Sequence, residues 1–266
     1  RRLSFEVHEA AGACRASGFI WTHGLTSSMG DEAAGGWPFG GVAGLAGMLP
    51  VTRYDARGHG SSDTAEGREC TWPQMGRDIV ELRRAWARRR TFIGGTSMGA
   101  AASLYAALEA PDLFAGLVLA TPPTCYGGRQ KFVPMYRESV NVARQGGLPE
   151  VRRVAASKTR PPIFMESEKG RSMFDAGWAT KIGMGVERYC AALEGAAQSD
   201  LPPLDDLRTI TVPTLILAWR SDVQHPVDTA EMLRETIPNS ELHIADTWDD
   251  IEQFPGHMQH FFRKHL

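Results

Sequence analysis

The chain has 266 residues, 42% of them apolar and 23% charged, with a formal net charge of -2. That length suits one large domain, or one domain carrying an insertion. The near-neutral charge balance excludes a global basic field for a polyanion, and no apolar run reaches the roughly 18 residues that a membrane helix requires.

Short apolar runs bounded by glycine or turn residues recur at residues 18–22, 50–54, 90–94, 115–120, 214–219 and 241–245. Their composition predicts strands buried on both faces. Helical segments are expected between them, from Trp72 to about Arg89, from Met98 to about Ala110, from Val227 to about Thr236 and from about Ile251 to His265. Alternation of this kind predicts a doubly wound, mainly parallel α/β sheet. The basic residues Arg83, Arg84 and Arg88 to Arg90 fall at the expected end of the first helix. Positive charge there complements the helix macrodipole, so no nucleic-acid partner is expected.

The alternation lapses from Thr121 to Leu207, where helical patches at 136–145, 150–158 and 185–197 occur without a convincing strand. The expected organisation is therefore a core of residues 1–120 and 208–266 with a helical cap inserted at 121–207. An insertion after a strand's C-terminal end would lie over the crevice where such sheets bind ligands. Met135, Met165, Met173 and Met184, with Phe132, Phe164, Phe174 and Trp178, either line an apolar pocket there or form the interior of the cap, and the second reading is the plainer. Cys14, Cys70, Cys125 and Cys190 are widely spaced and follow no ligand pattern, so free thiols and a cytoplasmic location are expected. Asp246, Asp249 and Asp250 cluster without histidine or glutamate at ligand spacing, and neither a metal nor another cofactor is expected.

Chemistry enters at Gly95-Thr96-Ser97-Met98-Gly99, which joins one apolar run to a small-residue helical segment. Glycines two before and two after the serine let a strand and a helix approach without Cβ clashes, as a nucleophile elbow requires. His23-Gly24-Leu25 follows the first buried run, and Asp55-Ala56-Arg57-Gly58-His59-Gly60-Ser61 follows the second. Further on, Val212-Pro213-Thr214-Leu215 leads through Trp219 to Asp222 and Pro226. In this order the motifs resemble those of the α/β-hydrolase superfamily. The resemblance implies the α/β-hydrolase fold, with Ser97 as nucleophile and Asp222 as the acid orienting a histidine. It also implies an oxyanion hole made by the backbone N–H groups of Leu25 and Met98. Trp219 stands where the superfamily usually has glycine. The Arg57-Gly58-His59 turn is expected to be structural, with Asp55 and Arg57 pairing locally.

One departure is large. The superfamily carries its histidine in the loop after the last strand, and here that loop, Asp246 to Pro255, has Thr247 or Trp248 in its place. A serine hydroxyl needs a proton acceptor. His257 and His260 lie too close to the end of the terminal helix, and His243 lies within the strand, roughly 7–10 Å below the rim at about 3.3 Å per residue. His225, three residues after Asp222, is on the correct rim and is the working candidate, with Asp249, Asp250 or a water left open. The expected function is a serine hydrolase acting on a small carboxylic ester or lactone through a Ser97 acyl-enzyme. The Gly-x-Ser-Met-Gly form also resembles enol-lactone hydrolases and carbon–carbon bond hydrolases. The alternative is a non-hydrolytic protein of the same fold, a lyase, cyclase or small-molecule binder. The partner expected is a small-molecule substrate, with neither nucleic acid nor membrane, and oligomeric state stays open.

Overall fold

The computed structural model describes residues 1–14, 16–34, 38–86, 90–156 and 161–266. Seven strands form one sheet: β1 Phe5–His8, β2 Ser17–Thr22, β3 Val51–Tyr54, β4 Arg90–Thr96, β5 Gly116–Ala120, β6 Thr214–Trp219 and β7 Ser240–Ala245. Their order is β1-β3-β2-β4-β5-β6-β7. β1 is antiparallel to β3, and the remaining neighbours are parallel. The helices are α1 Met29–Ala34, α2 Trp72–Trp86, α3 Met98–Glu109, α4 Tyr126–Ala156, α5 Pro162–Met165, α6 Glu168–Met184, α7 Val186–Ala197, α8 Leu204–Leu207, α9 Val227–Thr236, α10 Trp248–Glu252 and α11 Phe254–His265.

Alternate residues of the central strands enter two different cores, which is why their sequences read as unbroken apolar runs. Ile20, Ile93, Leu117, Leu119, Ile216 and Ala218 pack on one face with Ile79 of α2, Leu104 of α3 and Leu233 of α9. Phe19, Trp21, Phe92, Val118, Leu215, Leu217 and Trp219 pack on the other with Ile251 of α10 and Met258, Phe261 and Phe262 of α11. Between β5 and β6 lie α4 to α8, and α4 and α7 share a third cluster of Val140, Ala143, Leu148, Tyr189, Cys190 and Leu193.

The sheet class matches the expectation, and several elements differ from it. β1 was not foreseen, because Phe5 and Val7 are 55% and 42% exposed on an edge strand that lacks the buried-run signature. Arg83 and Arg84 lie in the last turn of α2 as expected, Arg90 instead opens β4, and Arg88 and Arg89 lie outside the described residues. The terminal helix is two helices. A capping box of Thr247 and Asp250 starts α10, and Pro255 sits in the first turn of α11, where its missing N–H costs nothing. α4 starts ten residues before the first expected patch and breaks at Gly147, whose φ of 72° belongs to the left-handed region. α6 falls between the expected patches and is initiated by Ser167, whose hydroxyl accepts from the Gly170 N–H. Phe164 and Met173 leave the α4–α7 cluster and join Trp219 and Trp248 in the sheet core, whereas Met165 is exposed and the Phe174 side chain lies outside those described. All four cysteines are free thiols.

Candidate active site

β4 ends at Thr96 and α3 begins at Met98, leaving Ser97 between them at φ 53° and ψ -106°. A non-glycine residue in such a region costs about 1–3 kcal/mol, so its surroundings must impose it. They do: Ser97 N–H donates to the Ala120 carbonyl at 2.9 Å, and the Ser97 carbonyl accepts from Ala101 N–H at 3.1 Å. A Cβ on Gly95 or on Gly99 would run into the Thr22 carbonyl oxygen. The two glycines therefore let β2, β4 and α3 converge beneath a serine pushed out of line.

After β6 the chain turns at Ser221, whose φ is 64°, and Pro226 precedes α9. This short loop carries Asp222 and His225. His225 Nε2 lies 2.9 Å from Ser97 Oγ, and its Nδ1 lies 2.8 Å from Asp222 Oδ2. With a carboxylate on one side and a hydroxyl on the other, the consistent tautomer donates Nδ1–H to Asp222 and accepts the Ser97 hydroxyl on Nε2. The loop is anchored by Thr124 N–H, which donates to the Gln224 carbonyl at 3.0 Å.

Asp222 is almost fully buried, which by itself opposes ionisation. The charge of His225 and hydrogen bonds from His225, Trp219 Nε1 (3.1 Å) and Gln224 N–H (2.9 Å) overcome that and hold its carboxyl at about 2. Trp219 also sets its edge toward the His225 ring at 6.4 Å between centroids, with Phe164 packed against its indole at 5.1 Å. The residue in place of the usual glycine thus contacts both members of the Asp222–His225 pair.

The other candidates go elsewhere. His243 in β7 stacks on His257 of α11 at 3.8 Å, and His260 is exposed on the same helix. Asp250 Oδ2 accepts the N–H groups of Asp246 and Thr247 at 3.2 and 3.0 Å, Asp249 is exposed, and Glu252 pairs with Lys169 at 2.7 Å.

Met98 is the first residue of α3, so its N–H belongs to the first-turn amides that lack an intrahelical acceptor. Leu25 follows Gly24, where a Cβ would sit 3.9 Å from Ser97 Cβ, so the Gly24–Leu25 turn runs alongside the Ser97 turn. The Leu25 side chain packs against both the α2–α3 core and the α4–α7 cluster.

The Arg57-Gly58-His59 turn pairs differently from expectation. Arg57 Nε reaches Asp78 Oδ2 on α2 at 2.6 Å rather than Asp55. Asp55 instead accepts backbone N–H groups of Met29 and Ser61, both at 2.8 Å, because a carboxylate inside a tight turn is best satisfied by the amides the turn presents. Beside it, His23 Nε2 accepts from Ala56 N–H at 3.0 Å, and His59 Nδ1 donates to the Arg57 carbonyl at 2.9 Å. Burial, then the neighbouring His23, push His59 down to about 3.

Glu32 was missed by the motif reading. Adjacent to Asp31 and among small residues it carries no sequence signal, yet only 4% of it is exposed. Among the described residues no three His, Cys, Asp or Glu side chains are arranged to hold a metal ion, and no helix is long and apolar enough to cross a membrane.

The family described as Serine aminopeptidase, S33 matches residues 47–163. The chain is 27% identical over 201 residues to 3-oxoadipate enol-lactonase 2 of Acinetobacter baylyi, covering 74% of this chain and 70% of that protein. Among solved structures it resembles a hydrolase from Pseudomonas aeruginosa, with a TM-score of 0.78 at 22% identity over 99% of this chain and 94% of the other. It also resembles the enol-lactonase from Burkholderia xenovorans, with a TM-score of 0.76 at 20% identity over 98% and 94% of the two chains.

Proposed function

Because the chain belongs to the α/β-hydrolase superfamily, we propose that it is a serine hydrolase cleaving a small carboxylic ester or lactone through an acyl-enzyme on Ser97. The observation that carries this reading is the unbroken Ser97–His225–Asp222 hydrogen-bond chain, with links of 2.9 and 2.8 Å. The enol-lactonase relatives make a lactone the first substrate to try.

In the proposed reaction Ser97 Oγ attacks the substrate carbonyl carbon while its proton passes to His225 Nε2. Asp222 stabilises the resulting imidazolium, and the Leu25 and Met98 N–H groups receive the charge that develops on the carbonyl oxygen. Collapse of the tetrahedral intermediate breaks the bond to the leaving oxygen, which takes the proton from His225. In a lactone the leaving oxygen stays tethered to the acyl group. A water then enters, gives a proton to Nε2 and adds to the acyl carbon, and collapse of this second intermediate breaks the bond to Ser97 Oγ, which takes the proton back from Nε2. His225, from the loop after β6, fills in this reading the role that the superfamily gives to a histidine after the last strand. Its proximity to Ser97 removes the reason for preferring a non-hydrolytic protein.

Residues 121–207 serve as a cap in this reading. Support comes from ties to the loops at the strand ends: Thr180 Oγ1 of α6 donates to Asp31 of α1 at 2.7 Å, and Arg188 of α7 donates to the Ser62 carbonyl at 2.8 Å. Such a cover excludes water and shapes the acyl pocket.

The test is covalent labelling with a fluorophosphonate together with turnover of short-chain p-nitrophenyl esters and small lactones. Wild type labels at one site, and Ser97→Ala abolishes both labelling and turnover. A wild type that neither labels nor turns over any of these substrates overturns the hydrolase reading.

A further inference from the structure

Two adjacent acids of α1 face opposite directions. Asp31 bonds to Ser28 and, on the side of α6, to Thr180. Glu32 turns into the protein, where its carboxyl meets the ends of three strands. Trp21 Nε1 of β2 donates to Glu32 Oε2 at 2.8 Å, and Thr96 Oγ1 of β4 donates to Oε1 at 3.3 Å. Arg53 Nη2 of β3 lies 3.6 Å from Oε2 and also donates to the Met29 carbonyl.

Each of these partners has a bearing on the reaction. Thr96 is the residue before Ser97, Trp21 stands two residues before His23-Gly24-Leu25, and Met29 begins α1 directly after the turn carrying Leu25. The Leu25 turn is thus fastened at both ends to one buried carboxyl and its arginine neighbour, and that carboxyl is also bonded to the residue that sets the elbow.

Burial of a carboxyl is costly unless its hydrogen bonds are made. An apolar residue would fill the space at lower cost, yet could not hold Trp21 and Thr96 at fixed separation. Burial, opposed by Trp21, Arg53 and Thr96, pushes the Glu32 carboxyl up to about 7, so glutamine is a fair mimic of its neutral form.

We propose that Glu32 is a positioning residue that locks the Leu25 turn against the Ser97 elbow and so aims the Leu25 N–H at the developing oxyanion. The inference rests on the hydrolase reading. Its signature is a loss confined to the transition state, because the Leu25 N–H tightens there rather than on the ground-state ester.

The experiment compares wild type, Glu32→Gln and Glu32→Ala by kcat and KM on a p-nitrophenyl ester, by affinity for a boronic acid that forms a tetrahedral adduct with serine, and by urea unfolding. Glu32→Gln is expected to keep kcat within about threefold of wild type. Glu32→Ala is expected to lower kcat about 10²-fold with KM little changed, the loss associated with one misplaced oxyanion donor, and to weaken the boronic acid in parallel. Wild-type kcat in Glu32→Ala, a rise in KM alone, or loss of kcat with unchanged boronic-acid affinity overturns the proposal. If Glu32→Ala does not fold, Trp21→Phe and Thr96→Val each remove one partner. Lowered kcat at constant KM in both then supports the proposal, and wild-type kcat in both overturns it. Failure of the hydrolase reading looks different, since wild type itself would be unlabelled and inactive.

Discussion

Buried His23 and His59 and half-buried His225 occupy the same end of the sheet and spend their ring nitrogens differently. His23 and His59, after β2 and β3, bond to backbone: His23 to Gly24 and Ala56, His59 to Arg57 and Thr26. His225, after β6, bonds only to side chains among its described partners, a carboxylate at 2.8 Å and a hydroxyl at 2.9 Å. A ring held between a backbone acceptor and a backbone donor is fixed in one tautomer, and its lone pair is already occupied by an amide that has no proton to give up. Between a carboxylate and a hydroxyl, the same ring can accept a proton and remain stabilised. Proximity of a histidine to the rim is therefore weak evidence of a catalytic role, and the identity of both bonded partners is strong evidence.

Substitution separates the two kinds of histidine most directly. His225→Ala is expected to lower kcat by about 10⁴-fold or more while leaving the urea midpoint nearly unchanged. His23→Ala leaves the Ala56 N–H unpaired in the interior, so about 1–3 kcal/mol of stability is lost while the folded fraction stays active within about tenfold. Comparable kcat losses in the two variants would erase the distinction.

Acid provides a second test. Burial pushes His23 down, and burial with His23 pushes His59 down to about 3, whereas an unfolded imidazole titrates at about 6.5. Between those values the unfolded chain binds more protons than the folded one, so stability is full above about 6.5 and falls as pH drops toward the folded values. Urea midpoints measured down this range should decline, and His59→Gln should decline less steeply than wild type. Parallel declines would show that His59 is not responsible.

The smallest effect sharpens the His225 side. Trp219→Phe removes one of three kinds of hydrogen bond to Asp222, and the His225 and Gln224 bonds remain. About fivefold in kcat with unchanged KM is expected, corresponding to one hydrogen bond of about 1 kcal/mol. A steady-state assay at saturating ester reads it directly, and unchanged kcat would mean that the indole only fills space.

The parts of the site that were legible in sequence are those in which backbone geometry dictates residue type. Gly95 and Gly99 are glycines because the Thr22 carbonyl leaves no room, and the buried strands read as apolar runs because both faces are covered. Asp222 and His225 were nameable because their loop directly follows a strand with a clear signature, although no periodicity could say which way the imidazole turns. What escaped was set by tertiary contact. Glu32 becomes buried only when Trp21, Arg53 and Thr96 arrive from three strands, and β1 is defined by pairing with β3 rather than by its own pattern. α6 depends on a serine cap and carries glycines at 170, 177 and 183, so propensity alone argued against it.

The indole of Trp219 is also an optical reporter. Its N–H is bonded to Asp222 and its edge faces the His225 ring at 6.4 Å. A charged imidazolium quenches an excited indole far better than a neutral imidazole does. Six other tryptophans emit from the same chain, so the useful signal is the difference between wild type and Trp219→Phe. Followed as an ester or a boronic acid is added, that difference spectrum reports events at the Asp222–His225 pair without a turnover assay.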